Sequence, residues 1–367
     1  MKRVLYVATV DSHISAFHYP YIEEFKKRNY QVDVVTGTDS NLDNIDNHYK
    51  ISLYRSPYTP KNIKGIKELR TILKENNYDL VICNTPMGSV ATRLAKTKKM
   101  NTKIIYLCHG FHFYKGSSIK SKLVFYPIEK ILSKKTNKII TINNEDYIQA
   151  QKFQKNSYYM HGIGLKEQKE KEQKNIEKDN KVLKKILDLK QNDIVLTFVG
   201  ELNNNKNQIM LLETMKELQQ EKKYNNIHLL LVGEDKLKGK LQRYTKKNNI
   251  KNIHFLGYRK DVNNILNITN IVVSSSIREG LPINILEALN KNIPVIAKKN
   301  RGTIDLIENN INGYLIENKY EMKDRIIKVL NNNLNKEKQQ KLNKEIINNY
   351  SILNTKEEFF EILKEDL

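Results

Sequence analysis

At 367 residues the chain is about twice the length of a common single domain, so two domains are expected. Hydrophobic residues at 39% and charged residues at 28% exclude a disordered chain. No run approaches the roughly 18 consecutive apolar residues of a membrane-spanning helix, which excludes an integral channel or transporter. The formal charge of +22, from 63 basic and 41 acidic residues, points to anionic partners: phosphorylated ligands, an anionic membrane surface or nucleic acid.

Met1-Lys2-Arg3 followed by the apolar Val4–Val10 has the outline of a signal peptide. Asp11, Ser12 and His13 interrupt it and no small-residue cleavage site follows, so export is not expected. Short apolar runs then alternate with helical periods. The runs are Val4–Val10, Gln31–Val35, Leu80–Cys83, Lys103–Cys108 and Lys138–Ile142; the helical periods include Tyr21–Arg28 and Ile63–Glu75. Runs rich in Val and Ile, apolar on both faces, are strands covered by helices on both sides, and the alternation argues for a doubly wound parallel sheet. Cys83 and Cys108 lie inside two of these runs and read as small core residues. Two cysteines supply neither a disulfide framework nor a zinc spacing, which fits a reducing cytoplasm.

Residues 51–140 carry 18 Lys/Arg against 4 Asp/Glu, a net +14, so most of the excess charge sits in one quarter of the chain. Lys61, Lys64, Lys67, Arg70 and Lys74 form a basic stripe within residues 61–74. Residues 115–138 interleave lysines with Ile119, Leu123, Val124, Phe125, Ile128, Ile131 and Leu132. A basic amphipathic helix with exposed apolar groups suits an anionic membrane surface. The rival readings are a plain solvated helix and a nucleic-acid face. No nucleic-acid motif accompanies the lysines, so no nucleic-acid partner is expected.

Lys166–Lys174 has no apolar residue and reads as a solvated linker, followed by a helical stretch at Val182–Leu189. Alternation restarts with Ile194–Val199, Ile227–Val232, Asn252–Leu256, Ile271–Ser274 and Ile293–Ala297. The expectation is two α/β domains, 1–165 and 166–345, with a charged helical tail whose last part, about 346–367, could pack back on the first. In such sheets ligands bind at the carboxyl ends of the strands, and two domains facing each other would form a cleft there.

The segment Ser274-Ser-Ser-Ile-Arg-Glu-Gly-Leu-Pro-Ile-Asn-Ile-Leu-Glu-Ala-Leu-Asn290 is the most informative. It follows an apolar strand, and a tight Glu279-Gly280-Leu281-Pro282 turn opens a helix with Pro282 expected in its first turn. The N–H groups of Leu281, Ile283 and Asn284 are then left without intrahelical partners, a site for phosphate or carboxylate. Glu287, one turn into the helix, can accept hydrogen bonds from vicinal hydroxyls of a sugar. Two acidic residues eight apart on a capped surface helix would by themselves mean little.

This pattern resembles the Glu-x7-Glu signature of family 4 retaining glycosyltransferases, whose GT-B fold has two facing Rossmann-like domains. Val199-Gly200-Glu201-Leu202 with Asn205-Lys206-Asn207-Gln208 is similar to the family's first loop of the C-terminal domain. Ile293–Ala297, Gly302-Thr303 and Asn312–Leu315 continue the pattern. In the N-terminal half His13-Ile14, Phe17-His18-Tyr19-Pro20 and His109-Gly110-Phe111-His112-Phe113 resemble the capsule and exopolysaccharide branch. The resemblance implies that Lys206 neutralises the leaving diphosphate, with Gly200 and Asn205 shaping its loop. It implies that Glu287 holds the nucleotide ribose, that Glu279 lies near the transferred sugar, and that Gly280, Leu281, Pro282, Ile283 and Asn284 surround its hydroxyls and phosphate. It makes His109 a donor-sugar contact near the reacting carbon, so Lys206, Glu279 and His109 are the expected catalytic groups. The rival reading of His109 and His112 is packing against Phe111, Phe113 and Tyr114. His13, His18 and His112 are assigned to the acceptor region, although relatives often have glycines after the first strand. Many relatives carry Arg where this chain has Glu201, so one expected cation is missing; Glu201 is left either to pair with Lys206 or to point elsewhere.

No Gly-x4-Gly-Lys-Ser/Thr loop, no His-Glu-x-x-His and no Asp-x-Asp occurs. Hard divalent ions demand oxygen ligands, so transfer without a metal or other cofactor is expected, with Lys206 and helix-start amides in the ion's place. The whole reads as a cytoplasmic, peripheral-membrane enzyme using a UDP-linked sugar donor and a lipid-linked saccharide acceptor. The alternatives are a nucleotide-sugar epimerase of the same fold, for which no acid/base carboxylate set is evident, and a non-catalytic sugar-nucleotide or glycan-binding subunit.

Overall fold

The computed structural model describes residues 1–165, 176–331 and 334–367. The expected linker at Lys166–Lys174 lies outside the described residues. The chain divides into two compact units, Met1–Gly164 with Tyr350–Leu367, and Leu165–Asn349. The second unit thus runs to Asn349 rather than 345, because the helix that begins at Lys336 packs on the second unit and ends at Asn349.

The first unit contains β1 (Arg3–Val7), α1 (Asp11–Phe17), α2 (Tyr19–Lys27), β2 (Gln31–Thr36), β3 (Asn47–Lys50), α3 (Lys61–Asn76), β4 (Leu80–Cys83), α4 (Pro86–Ala95), β5 (Lys103–Cys108), α5 (Ile119–Ser133), β6 (Lys138–Thr141), α6 (Asn144–Gln151) and β7 (Ser157–Tyr159). Its seven strands are parallel in the order β3-β2-β1-β4-β5-β6-β7. The central strands are buried on both faces, so both sides of the sheet must be covered by helices. Asn143 caps α6 by accepting from the Asp146 N–H at 2.9 Å, and Ser118 caps α5 by accepting from the Ser121 N–H at 3.1 Å.

The second unit contains α7 (Ile176–Ile186), β8 (Ile194–Val199), α8 (Gln208–Leu218), β9 (Ile227–Val232), α9 (Lys240–Lys247), β10 (Ile253–Gly257), α10 (Val262–Asn267), β11 (Ile271–Ser274), α11 (Ile283–Asn290), β12 (Val295–Lys298), β13 (Gly313–Ile316), α12 (Lys319–Leu330) and α13 (Lys336–Asn349). Its sheet is also parallel, in the order β10-β9-β8-β11-β12-β13. A last helix, α14 (Ile352–Leu363), belongs to the first unit. There Phe360 packs on Phe25 with ring centroids 4.9 Å apart, and Phe359 on Tyr21 at 5.0 Å.

In each sheet the winding reverses between two neighbouring strands, β1 and β4 in the first unit and β8 and β11 in the second. Diverging loops leave a crevice at the carboxyl ends of such a pair, which is where ligands bind in open α/β sheets. The loops after β8 and β11 carry Gly200–Lys206 and Ser275–Pro282. The loops after β4 and β5 carry Thr85 and His109, and α1, which follows β1, carries His13.

Candidate functional site

In the second unit β8 ends at Val199 and the chain turns at Gly200, whose φ of +149° is a conformation side-chain-bearing residues rarely adopt. Gly233, at the end of β9, lets this turn approach: a Cβ there would stand 2.0 Å from the Gly200 carbonyl oxygen. The loop is then tied to the one after β11. Ile277 N–H donates to the Asn205 carbonyl at 2.8 Å, Asn205 Nδ2 donates to the Arg278 carbonyl at 2.9 Å, and Ser275 Oγ donates to the Lys206 carbonyl at 2.7 Å. Lys206 is thereby fixed at both its backbone ends, its N–H donating to Asn203 Oδ1 at 3.0 Å. Its ammonium reaches Glu279 Oε1 at 2.6 Å, with 21% and 13% of the two side chains exposed. A half-buried ion pair of this kind keeps a positive charge in place that an incoming phosphate can share.

Helix α11 begins at Ile283, with Pro282 as its extended N-cap residue. The sequence expectation placed Pro282 inside the first turn; the φ of −83° and ψ of 96° put it one position earlier. Proline has no N–H and no polar side chain, so it cannot cap the helix itself. The N–H groups of Leu281, Ile283 and Asn284 make no hydrogen bond among the described residues, whereas those of Ile285 and Leu286 turn back to the Pro282 carbonyl. Asn284 Nδ2 donates to the Val199 carbonyl at 2.8 Å and pins the helix start to the end of β8. Glu287 is half-buried and makes no hydrogen bond or ion pair among the described residues; burial raises its pKa. Glu201 does not pair with Lys206: it is exposed and accepts from Asn203 Nδ2 at 3.2 Å. The structure thus brings together Gly200, Asn205, Lys206, Glu279, Gly280, Leu281, Pro282, Ile283, Asn284 and Glu287 at one strand-end crevice. Sequence reasoning missed Arg301, which is buried and whose Nε donates to the Glu279 carbonyl at 3.2 Å. Its only signal is its place beside Gly302-Thr303.

In the first unit His109 follows β5, and its Nε2 lies 3.3 Å from His13 Nε2 on α1. Its ring centroid is 4.5 Å from that of His13 and 5.6 Å from that of His18. The aromatic cluster that competed for His109 forms without it: Phe111 stacks on Phe113 at 4.8 Å, and Phe153 packs on both. His112 packs instead on Phe125 of α5 at 4.8 Å. His18 is 0% exposed, because the α1–α2 junction turns it inward onto Tyr6. It presents no surface to an acceptor and stands behind His13, with ring centroids 5.1 Å apart, so any part it plays in the acceptor region is indirect. Burial, and secondarily Arg55, push His13 down to about 4; burial holds His18 and His109 well below the usual imidazole range.

His13 and His112 line a pocket of about 380 Å³ together with Arg55, Thr85, Phe17 and Met87. Sequence reasoning missed Arg55 and Thr85. Thr85 holds a φ of +59°, strained for a β-branched residue, and its Oγ1 meets Thr9 Oγ1 at 2.7 Å. A second pocket, of about 640 Å³, lies beside α5 between Lys115, Lys122, Tyr126, Leu123 and Glu145.

Helix α5 buries only Glu129, Leu132 and Ser133. Glu129 accepts from the fully buried Arg93 of α4 at 2.6 Å. The outer side exposes Ile119, Leu123, Val124, Ile128 and Ile131 among Lys120, Lys122, Lys130 and Lys134. Two members of the expected basic face are used internally. Lys138 is buried and pairs with Asp366 at 2.8 Å, and Arg70 donates to the Leu94 and Ala95 carbonyls at the end of α4. No helix among the described residues is long and apolar enough to cross a membrane.

The profile of the family described as "Glycosyl transferases group 1" matches residues 179–349, and that of "Glycosyl transferase 4-like" matches residues 3–143. The chain is 36% identical over 322 residues to the putative glycosyltransferase EpsD of Bacillus subtilis, covering 86% of this chain and 84% of that protein. This protein belongs to the glycosyltransferases. The glycosyltransferase is also 29% identical over 290 residues to the UDP-Gal:alpha-D-GlcNAc-diphosphoundecaprenol alpha-1,3-galactosyltransferase of Escherichia coli, covering 76% of this chain and 73% of that one. Among solved structures it is similar to Anabaena Alr3699/HepE in complex with UDP, with a TM-score of 0.77, 16% identity and all of both chains covered. That likeness shows a shared fold, the GT-B architecture of two parallel-sheet domains. The transferase's two profile matches divide along the two units, the group 1 match lying within the unit that carries Lys206, Glu279 and Glu287.

Proposed function

We propose that the protein transfers a hexosyl-type sugar from a UDP-sugar to a lipid-linked saccharide, retaining the anomeric configuration as in family 4, in the synthesis of a surface polysaccharide such as exopolysaccharide or capsule. The observation that carries the reading is the strand-end crevice of the second unit. A fixed ammonium, three N–H groups without partners and a carboxylate without a partner offer what a nucleoside diphosphate requires. Lys206 binds the diphosphate and offsets the charge that grows on it as the sugar departs. The N–H groups of Leu281, Ile283 and Asn284 hold phosphate or sugar oxygens, and Glu287 accepts from the ribose hydroxyls. Glu279 releases part of Lys206 when the diphosphate arrives and turns to a sugar hydroxyl. Stabilising the leaving group electrostatically is the main source of acceleration, and no metal ion is required for it. The acceptor hydroxyl attacks from the face the diphosphate leaves, and a diphosphate oxygen takes its proton.

The E. coli relative, named for a diphosphoundecaprenol acceptor, supports a lipid-linked acceptor. So do the exposed apolar and basic side chains of α5, which suit the inner face of an anionic membrane, and the pocket beside α5, which joins lysines to aromatic walls. Arg55, Thr85 and His13 line the pocket of the first unit, the acceptor side of this reading.

A panel of nucleotide sugars in a thermal-shift assay identifies the donor, since a ligand of the native state raises the melting temperature. Transfer to a diphosphoundecaprenol-linked saccharide then follows, with the anomeric configuration of the product read by NMR. A UDP-sugar that shifts the melt and a product of retained configuration are expected. Epimerisation of the donor without an acceptor, or binding without transfer to any lipid-linked saccharide, overturns the reading.

A further inference from the structure

We propose that His13, His18 and His109 form a binding site for a borderline transition-metal ion, with Zn²⁺ the best fit. The three side chains come from α1, from the α1–α2 junction and from the end of β5, and one ring nitrogen of each lies within 4.8 Å of the other two. His13 Nε2 and His109 Nε2 stand 3.3 Å apart. Two nitrogens each about 2.0–2.1 Å from one tetrahedral Zn²⁺ have about that separation.

The third ring supplies the second observation. His18 is 0% exposed and neither of its ring nitrogens has a hydrogen-bond partner. A buried imidazole carries one donor and one acceptor, and native interiors leave such groups unpaired only where a water, an ion or a function accounts for it. Tyr6, whose ring centroid is 5.6 Å from that of His18, also has a buried hydroxyl without a partner among the described residues.

The donor set defines the ion. Three neutral nitrogens without a carboxylate suit Zn²⁺, Co²⁺, Ni²⁺ or Cu²⁺ and are a poor match for Mg²⁺, Mn²⁺ or Ca²⁺, which take oxygen ligands. The site is therefore of a different kind from the carboxylate-held ions that bind sugar diphosphates, and it is compatible with a diphosphate held by Lys206. Three histidines leave a fourth position open to water or to an oxygen of a bound molecule. Positions 13, 18 and 109 match no local metal motif, which is why the sequence does not announce the site.

The test uses the full-length protein, stripped with a chelator and free of nucleotide. Zn²⁺ is titrated in competition with a chromogenic chelator, and Co²⁺ is titrated while its visible spectrum is recorded. One equivalent of Zn²⁺ per chain is expected, with the intense visible bands of tetrahedral Co²⁺ and no competition from excess Mg²⁺. His13→Ala and His109→Ala are each expected to weaken Zn²⁺ binding by at least about tenfold. His228→Ala, which removes one member of the stacked His228–His254 pair in the second unit, should leave it unchanged. Thermal melts check that each variant is folded, and since His13 is only half-buried its variant remains informative if others fail to fold. Zn²⁺ affinity that is the same in wild type, His13→Ala and His109→Ala, or that is lost in His228→Ala instead, overturns the proposal. Because no nucleotide is present, that outcome leaves the donor reading standing.

Discussion

Replacing Gly302 with alanine is expected to weaken the proposed donor site, slowing transfer roughly tenfold while leaving the protein folded. A Cβ at this position would stand 2.8 Å from the Gly280 carbonyl oxygen, 3.0 Å from Pro282 Cδ and 3.1 Å from Glu279 Cβ. Two of these atoms belong to backbone or to a proline ring and cannot rotate away. The Glu279–Pro282 turn must therefore recede by about half an ångström to regain ordinary contact distances near 3.5 Å. Inserting a methyl group into so tight a place costs about 1–3 kcal/mol. In a domain of this size that lowers the melting temperature by about 2–12 °C. The displaced turn carries Glu279 and leads into the N–H groups of Leu281, Ile283 and Asn284. Since a misplacement of about 1 Å costs on the order of a hundredfold, about half of that should cost roughly tenfold in turnover. UDP titration calorimetry, initial transfer rates and a thermal melt on Gly302→Ala measure all three effects. Gly116→Ala is the control, because its added Cβ meets nothing within 4 Å and only its φ of +93° is strained. Normal UDP affinity and normal rates in Gly302→Ala would show that the turn plays no part in binding the donor.

Glu287→Ala should weaken UDP by about tenfold, the loss of one or two charge-assisted hydrogen bonds, and should weaken phosphate or pyrophosphate little; calorimetry with the two ligand sets separates ribose from phosphate recognition. Acid should destabilise the first unit through Asp11. Burial opposes ionisation of this carboxyl, but hydrogen bonds from Ser40, Thr38 and Ser12 outweigh it and bring its pKa down to about 2. A lowered folded pKa contributes stability that is complete above the unfolded value near 4 and is lost as pH falls toward 2. The contribution is about 2 kcal/mol, and urea titrations of wild type and Asp11→Asn should converge over that window. Flotation with anionic vesicles should weaken with salt and fall at least severalfold in Leu123→Glu/Ile131→Glu, whose side chains are exposed and contribute little to folding; equal flotation with neutral vesicles contradicts the membrane reading.

The central strands were legible because both of their faces are buried: Leu80–Cys83, Lys103–Cys108, Ile194–Val199 and Ile227–Val232 appear with the ends the apolar runs suggest. The edge strands of the first unit were not. Asn47–Lys50 and Ser157–Tyr159 are short and polar because an edge strand has one neighbour and little apolar cover. The placement of the proposed donor-side residues was legible because local sequence determines it: a strand end, a glycine turn and a helix start fix Lys206, Glu279 and the N–H groups of Leu281, Ile283 and Asn284 within two loops. Arg55, Thr85 and Arg301 were not, since each reaches its site through tertiary contacts or a strained φ that no spacing encodes. His18 misled for the same reason. Only the turn between α1 and α2 sends it inside.

The measurement that bears most directly on the central claim is UDP titration calorimetry in the presence of EDTA, on wild type, Lys206→Ala and Lys206→Ala/Glu279→Gln. The proposed function predicts that wild type binds UDP without a divalent ion, the diphosphate taking up the ammonium that stands 2.6 Å from Glu279. Lys206→Ala should lose about a hundredfold, because the carboxylate of Glu279 is left to repel the diphosphate. The double variant should recover part of that loss. UDP that binds only when Mn²⁺ or Mg²⁺ is restored, or that binds Lys206→Ala as tightly as wild type, contradicts the account.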